Sequence, residues 1–363
     1  MIRFDSSLTR QGVRGKGTLA LKSALARSYA VLGAVFAPYA ERRLALHAQG
    51  FLGYLGLAKE TTWGTPVVPT DYMEILRESL SLTTDRFDVK NIVSKFHEPD
   101  DVDGVDRIAG DIVMMGHPVS AGHFLKAAMN TVSGTVVLSG FLWTTKFISV
   151  KSEFAQGVAS QPYTLEVFRD VTSASQIAGA ICSQLQMAIT PNQDLRFTAS
   201  WIGKSHLYKA STTPTFPSSS LNPLTFDTSS IQIAGAATAR VEALTITVDN
   251  QLEGIPALNN STQIARIRRR GPQMITVTGT LDFQDITEHL DFLNQTERAF
   301  VLSLTKADSF QFVADIPRLV YTAFAPTLAG RERLTVQFTG KARFKTSSDV
   351  AASFALTSTK SDY

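Results

Sequence analysis

The spacing of hydrophobic and polar residues divides the last third of the chain, residues 271–341, into one helix and several strands. Residues 274–283 alternate with the two-residue period of a half-buried strand. Residues 286–296 repeat their apolar positions every three or four residues, which predicts a short amphipathic helix. Further strands are predicted at 300–305, 310–314, 319–324 and 334–339. A strand, a helix and an antiparallel run of strands would form one compact unit.

A similar pattern occurs upstream. A shift of 137 residues superimposes two pairs of segments without a gap: 300–306 on 163–169, and 334–341 on 197–204. More loosely, residues 279–283 and the helix after them correspond to residues 110–114 and 121–129. Two matches in one register favour an internal duplication. The alternative is a pair of β-rich neighbours that merely look alike.

Composition supports a folded, β-rich protein. The 363 residues are 44% hydrophobic and 18% charged, and the length allows two to three domains with cores of their own. Phenylalanine, threonine, valine and isoleucine are abundant, which favours strands. The single cysteine, Cys182, excludes an intramolecular disulfide and a cysteine-cluster metal site. Its apolar neighbours predict a buried, inert thiol rather than a nucleophile.

The net charge is unevenly distributed. The formal charge is +3, but residues 1–50 alone carry +6, so the remaining chain carries −3. The basic isoelectric point therefore gives no support to a nucleic-acid-binding body.

Residues 1–50 form a basic, Ala/Leu-rich extension without strand alternation. Three interpretations remain open. A cleaved secretory signal is weakened by deep Arg and Lys residues and by Pro38. The extension could instead be a basic amphipathic arm. It could also be translated upstream sequence, which would need a non-Met start because no Met lies between Met1 and Met73. No stretch within it reaches membrane-spanning length.

From Phe51 onward the chain resembles a known family. Residues 53–70, GYLGLAKETTWGTPVVPT, resemble the opening of two-domain major tail tube proteins of long-tailed, siphovirus-type bacteriophages. Those proteins commonly begin with G-x-x-K-E-x-x-x-G-T-x-x-x-P and an E-S-L strand. The matching residues here are Gly56, Lys59, Glu60, Gly64, Thr65, Pro69, Glu78, Ser79 and Leu80. Further matches lie at 165–170, 244–253 and 279–285, and in the Gly-Lys strand ends at 203–204 and 340–341. The resemblance covers about residues 51–345.

The pattern and the resemblance together imply a mainly β (α+β) chain with two tail-tube-like β-sandwich or barrel domains, each with one flanking helix. The predicted organisation is an extension at 1–50, a first domain at 51–208, a linker at 209–223, a second domain at 224–345 and a C-terminal tail at 346–363. The first domain carries extra residues near 131–162. That insertion would either contact a neighbouring ring or fold onto its own domain.

The resemblance implies a structural virion protein that polymerises as stacked rings into the tail tube, the conduit for DNA ejection. Two domains per chain predict trimeric rings with pseudo-sixfold symmetry; the alternative is a hexamer with one domain lining the bore. Other implied partners are the tape measure, tail terminator and tip proteins. Double-stranded DNA would pass through without specific binding, and no membrane contact is expected. Assembly would take place in the bacterial host cytoplasm. A weakly acidic body is consistent with a repulsive bore.

Six residues are candidates for contacts between subunits. Lys59, Glu60 and Trp63 belong to the opening motif. On a strand, Arg266, Arg268 and Arg270 would share one face, with Ile267 and Arg269 on the other. The arginine face could pair with a neighbouring subunit, guard a solvated edge or contact DNA, although it lacks interleaved aromatic residues.

We find no catalytic or metal-binding motif. Residues 91–109 form a polar acidic loop, but Pro99 and Gly110 occupy positions that an EF-hand needs for ligands. His117 and His123 lack a third ligand at zinc spacing. We therefore predict neither enzymatic activity nor a cofactor. Two other functions are a tube component of a contractile or type VI-like injection system, against which the duplication argues, and a secreted β-sandwich binding protein, which would require residues 1–50 to be a signal.

Overall fold

The computed structural model describes residues 48–92, 94–97, 100–139, 142–149, 158–217, 222–306, 309–327, 330–331, 333–346 and 350–363. The predictions for residues 1–47 lie outside this described part. Contacts divide the chain into two units, Met1–Gln49 and Gly50–Tyr363. The second unit contains all the strands and helices of the described residues.

Antiparallel strands make up most of this unit, as the sequence predicts. The strands are β1 (Tyr54–Lys59), β2 (Asp71–Met73), β3 (Arg77–Glu78), β4 (Ser81–Asp88), β5 (Asp101–Met115), β6 (Asn130–Ser139), β7 (Leu142–Ser149), β8 (Tyr163–Phe168), β9 (Ala174–Ile189), β10 (Arg196–Gly203), β11 (Ser205–Lys209), β12 (Ser229–Ile233), β13 (Ala236–Thr238), β14 (Val241–Asp249), β15 (Leu252–Ile255), β16 (Arg266–Arg269), β17 (Met274–Asp282), β18 (Arg298–Thr305), β19 (Gln311–Phe324), β20 (Thr335–Ala342) and β21 (Ser353–Ser358). The α-helices of the described residues are α1 (Ala121–Met129) and α2 (Thr287–Leu293). The mainly β sandwich prediction is confirmed.

In the first half of the unit, the long strand β9 belongs to two layers. Its first part pairs with β8 and β11, and β8 continues to β1 and β2. Its second part pairs with β10, which continues to β5 and then to β3 and β4. Helix α1 packs against β9 and β10, where the Phe124 and Trp201 rings meet edge to face at 6.1 Å. Burial of these large side chains between the two layers is the main stabilising contribution here.

In the second half, the strands around β19 show a similar pairing pattern. The first part of β19 pairs with β18, which continues to β12 and β13. Its last part pairs with β20, which continues to β17 and β14. Helix α2 packs against β19. The predicted strands at 310–314 and 319–324 are therefore wrong as separate elements. Pro317 lies in a bulge opposite β18, where a proline removes no ladder hydrogen bond, so the strand continues through it.

Two strand pairings join the halves into one sheet. Strand β14 of the second half pairs with β9 of the first, from Leu244 opposite Ile189 to Asp249 opposite Gln184. Strand β21 lies between β19 and β7. One hydrophobic core therefore extends through both halves. The proposed boundaries of domains and linker stay predictions.

Some strands are longer than predicted, and others lie where no strand was predicted. Residues 101–109 belong to β5, so the predicted acidic loop at 91–109 is too long. Val102, Val105 and Ile108 are the large apolar residues of this first part of β5. Inside the region predicted as a tail, β21 buries Phe354 and Leu356 completely. Helix α1 has the predicted bounds, and α2 is shorter than the predicted 286–296.

Candidate assembly surfaces

The opening motif builds a tight turn around a buried carboxylate. Glu60 is 1% exposed and accepts hydrogen bonds from the Gly64 amide at 2.7 Å, the Thr164 hydroxyl at 2.7 Å and the Gly179 amide at 2.8 Å. A buried carboxylate requires such donors because burial removes its hydration. Gly64 has a φ of 77°, which explains the glycine in the motif. The Lys-Glu-x-x-x-Gly pattern thus encodes a turn.

Trp63 belongs to the same turn. Its indole N–H donates to the Gly179 carbonyl at 3.1 Å. The Lys204 ammonium lies 4.3 Å from the centre of its ring, a cation–π contact. Lys204 ends the first of the two Gly-Lys strands noted in the sequence. These contacts hold β10 and the opening turn together.

A second pair of motifs meets at the outer flank of the sheet. Arg169 donates to both carboxylate oxygens of Glu78, at 2.6 and 2.9 Å, and to the Leu80 carbonyl at 2.9 Å. Hydrogen bonding to Glu78 raises the pKa of Arg169, so the guanidinium stays charged. The bidentate geometry fixes β3 and the start of β4 against β8.

The strands from β5 through β10, β9, β14, β17 and β20 to β19 present two different faces. One face is apolar and buried against the helices and the other strands, with Ile112, Leu185 and Val277 as examples. The other is half-exposed and consists largely of hydroxyl and amide side chains. Its uncharged polar members are Thr198, Ser200, Gln184, Gln186, Thr245, Thr247, Thr276, Thr278, Thr280, Thr335, Gln337 and Thr339. We call this surface the polar face.

The sheet that carries the polar face ends in two strand edges without a partner strand in the described residues. At one end, β3 and β4 pair with β5 only. At the other, residues 320–324 of β19 pair with β20 only. Unpaired edges of this kind present main-chain donors and acceptors that can bind a further strand.

The arginine segment lies on the two-stranded sheet β15–β16. Ile267 is fully buried, whereas Arg266 and Arg270 are exposed and Arg268 is half-buried. Arg269 donates to the main-chain and side-chain oxygens of Asn250, both at 3.1 Å. The alternation expected for a strand therefore holds from Arg266 to Arg268.

A family model described as phage tail tube protein matches residues 50–355. The chain belongs to the phage tail tube protein family. It is accordingly a structural protein, a component of the virion tail that self-assembles into a tube. No curated protein matches the chain.

The predicted interface residues of this tail tube family member fall into two groups. Glu60 and Trp63 are buried in their own chain, where they organise the opening turn. Lys59, Arg266, Arg268 and Arg270 reach solvent, and the Lys59 ammonium lies 3.4 Å from the Asp362 carboxylate. The structure does not bring the two groups together as one patch.

Asn250 has a structural role that the sequence did not predict. It is fully buried, and its side-chain amide donates to the carbonyls of Ala128 in α1 at 3.0 Å and Cys182 in β9 at 3.1 Å. Since Arg269 also binds it, Asn250 links three elements of the tail tube fold at the junction of the halves. The motif at 244–253 contained this residue but gave no hint of its contacts.

A buried cluster holds the segment after β21 against α1. The Tyr363 ring packs against His123 at 5.3 Å and Phe147 at 5.8 Å, and Lys360 forms an ion pair with Asp71. Burial lowers the pKa of His123 to about 4, so the ring is neutral at pH 7. Burial raises the pKa of Cys182 to about 12, which agrees with an inert thiol.

The described residues contain neither a candidate membrane-spanning helix nor a candidate metal cluster. Neither α1 nor α2 has the length and apolar character of a membrane span. Among the same residues, no group of three or more His, Cys, Asp or Glu side chains is arranged to hold a metal ion.

Proposed function

We propose that the chain forms the tail tube of a siphovirus-type phage by closing head to tail into rings. In this arrangement the free edge of β19 in one copy pairs with the free edge of β3 and β4 in the next. The observation that carries the proposal is the β9–β14 pairing inside each chain. That pairing is the same kind of junction, already made within one polypeptide.

Matching registers support the equivalence of the two halves. In the first half Leu165 pairs with Ile177; in the second, Leu302 pairs with Ala314, and both residues are 137 positions further on. Gly110 pairs with Trp201, and Gly279 pairs with Phe338, as the loose sequence match requires. These correspondences support an internal duplication with domains near 51–208 and 224–345.

The polar face would line the bore. The helices and the remaining strands lie on the opposite face of the sheet. The outside of a ring has a larger circumference than the inside. When the sheet edges join into a ring, the side that carries the helices and the remaining strands therefore fits better on the outside. A continuous ring of strands also removes the open edges that would otherwise aggregate.

Two quasi-equivalent halves per chain favour three chains per ring with pseudo-sixfold symmetry. A hexamer with one half lining the bore is the alternative. Head-to-tail pairing is a heterologous interface, which closes only when the rotation per subunit divides a full turn.

The hairpin of β4 and β5 would contribute to ring stacking. At the far end of the hairpin, near Asp88 and Asp101, the strands are exposed on both faces, with Phe87 at 58% and Phe96 in the connecting loop fully exposed. Exposed apolar side chains on a projecting ribbon indicate a partner surface. Arg266, Arg270 and Lys59 remain candidates for ionic contacts between copies. The tape measure, terminator and tip proteins would bind the lumen and the ends of the completed tube.

Negative-stain microscopy of the purified full chain tests this function. We expect hollow tubes whose class averages show three subunits and six pseudo-equivalent lobes per ring. A ring of six subunits would support the hexamer instead. A protein that remains monomeric at high concentration, and is absent from purified tails, would contradict the proposal. Mass spectrometry of virion tails would also show whether residues 1–50 are part of the assembled protein.

A further inference from the structure

The charged residues of the polar face lie mainly around its margins. Across the middle strands, one row runs through Thr198, Gln186, Thr247 and Thr276, which are paired neighbours on β10, β9, β14 and β17. The next row contains Thr245, Thr278 and Thr339 on β14, β17 and β20. A band of hydroxyl and carboxamide groups therefore crosses the junction of the two halves.

Four carboxylates and three cations at the margins nearly balance, and most of them are engaged by a neighbour. Asp111 accepts from the Ser200 hydroxyl at 2.6 Å, and Asp249 accepts from the Gln251 amide at 2.8 Å. Arg196 lies 3.4 Å from Asp194, and Asp282 lies 3.8 Å from Arg333. Lys341 is the cation next to the hydroxyl band, opposite Thr276. The net charge of −3 outside the extension is therefore not concentrated on this face.

The charge of the polar face determines whether it attracts or repels a polyanion such as DNA. Binding of duplex DNA requires several cations that replace condensed counterions, and its strength then falls steeply with salt. Electrostatic repulsion would require a corresponding excess of carboxylates. Hydroxyl and amide groups do neither, but they hold a first shell of water that bridges to phosphate oxygens at little cost.

We propose that the polar face carries double-stranded DNA on a layer of bound water, without net ionic attraction or repulsion. Contact with DNA in the bore is consequently almost independent of salt concentration. This inference rests on the proposed function, because it requires the face to line a closed tube. It replaces the repulsive bore expected from total charge.

A nuclease-protection experiment tests the inference. The full chain is assembled with a labelled duplex of about 50 base pairs at several salt concentrations, free DNA is digested, and the tubes are sedimented. For the wild-type chain we expect a small protected fraction that is nearly the same at every salt concentration. For Thr278→Lys, which adds a ring of cations per layer, we expect protection to rise about tenfold or more at low salt.

Gln232→Lys is the matched control. Gln232 is exposed on β12, away from the polar face, so the variant has the same charge change outside the bore. It should leave protection as in the wild type. Gln186→Lys, on β9, is a second bore variant in case Thr278→Lys does not assemble.

The outcomes separate the two proposals. If the wild-type chain forms no tubes, the proposed function fails and the inference fails with it. If tubes form but wild-type protection depends steeply on salt, only the inference is overturned. It is also overturned if both bore variants assemble and behave like Gln232→Lys, because their lysines would then not face the DNA.

Discussion

The last parts of β9 and β19 differ in the number of strands that pair with them. Residues 184–188 of β9 are paired on both sides, by β10 and by β14. Residues 320–324 of β19 are paired by β20 alone among the described strands. On the matching flank, Ile246 of β14 is fully buried, whereas Leu82 of β4 is 42% exposed. The chain completes one junction by itself and leaves a similar one open, which is what the proposed closed ring would require.

The two helices show a related difference. Helix α1 is buried almost throughout, because β6, β7 and Tyr363 pack around it. Helix α2 exposes apolar residues at and beside its ends, with Ile286 and Leu293 both 59% exposed. The second half lacks the insertion that precedes β8. Its helix therefore depends on a neighbouring subunit for cover, or remains in contact with water.

The largest effect is expected from blocking the open edge of β4. Ser79 donates its amide to the Asp111 carbonyl, so the alternation of an antiparallel ladder points the Leu82 N–H away from β5. Leu82→Pro removes that donor without breaking the pairing with β5. We expect the variant to fold but to form no rings, as measured by circular dichroism and negative-stain microscopy.

Leu82→Thr is the control for this variant, because it shortens the apolar side chain but keeps the N–H. It should retain tube formation with a higher critical concentration. Normal tubes from Leu82→Pro would show that β4 is not an assembly edge.

The next effect concerns the loss of folding stability at acid pH. It arises from His123, in the buried cluster that holds the segment after β21 against α1. The pKa of His123 is about 4 in the folded chain, against about 6.5 when exposed. The unfolded chain therefore takes up a proton first as pH falls. His123 contributes full stability above about pH 6.5, and the contribution is lost towards pH 4. The loss amounts to at most about 3 kcal/mol.

Urea unfolding at about pH 7.5 and about pH 4.5, on either side of the exposed histidine pKa, measures this contribution. His123→Gln should show a smaller decrease in unfolding free energy between the two pH values than the wild type does. His97→Gln, at an exposed position, should keep the full decrease. Equal decreases in all three proteins would remove His123 as the acid-sensitive group.

A smaller effect is expected at Gly122, where α1 meets Tyr363. A Cβ atom there would lie 2.2 Å from the Tyr363 ring. Gly122→Ala should therefore destabilise the chain by about 2 kcal/mol through overpacking, despite the better helix propensity of alanine. In a Tyr363→Ala background the clash is absent, so the same substitution should stabilise by about 0.5–1 kcal/mol. If Gly122→Ala destabilised both the wild-type chain and the Tyr363→Ala chain, the Tyr363 ring would not pack against Gly122.

The sequence predicted local structure better than connections between distant segments. The bounds of α1 and the register linking β8 with β18 follow from the similarity between the two halves of the sequence, because side-chain alternation and helical spacing are local properties. The partners of Asn250 and the position of β21 depend on segments far apart in the chain. Glu60 and Trp63 belong to the opening motif, but only burial distinguishes a residue that organises a turn from one that reaches a second subunit. Exposure of an edge is likewise visible only after all strands are placed.

The smallest effect compares the residues that follow β8 and β18. Arg169 fixes β3 through Glu78, whereas Lys306, at the matching position 137 residues later, contacts the Asn222 carbonyl at 3.4 Å. In the first half, β3 and β4 form an open edge, which the contact of Arg169 with Glu78 attaches to the rest of the chain. In the second half, β14 is held by its pairing with β9.

Arg169→Ala should therefore cost about 1–2 kcal/mol in urea unfolding and weaken assembly, since Glu78 loses its charged partner. Lys306→Ala is the matched variant and should change stability by less than about 0.5 kcal/mol, because its long contact with a carbonyl is replaced by water. Equal losses at the two positions would show that the open edge does not depend on this anchor.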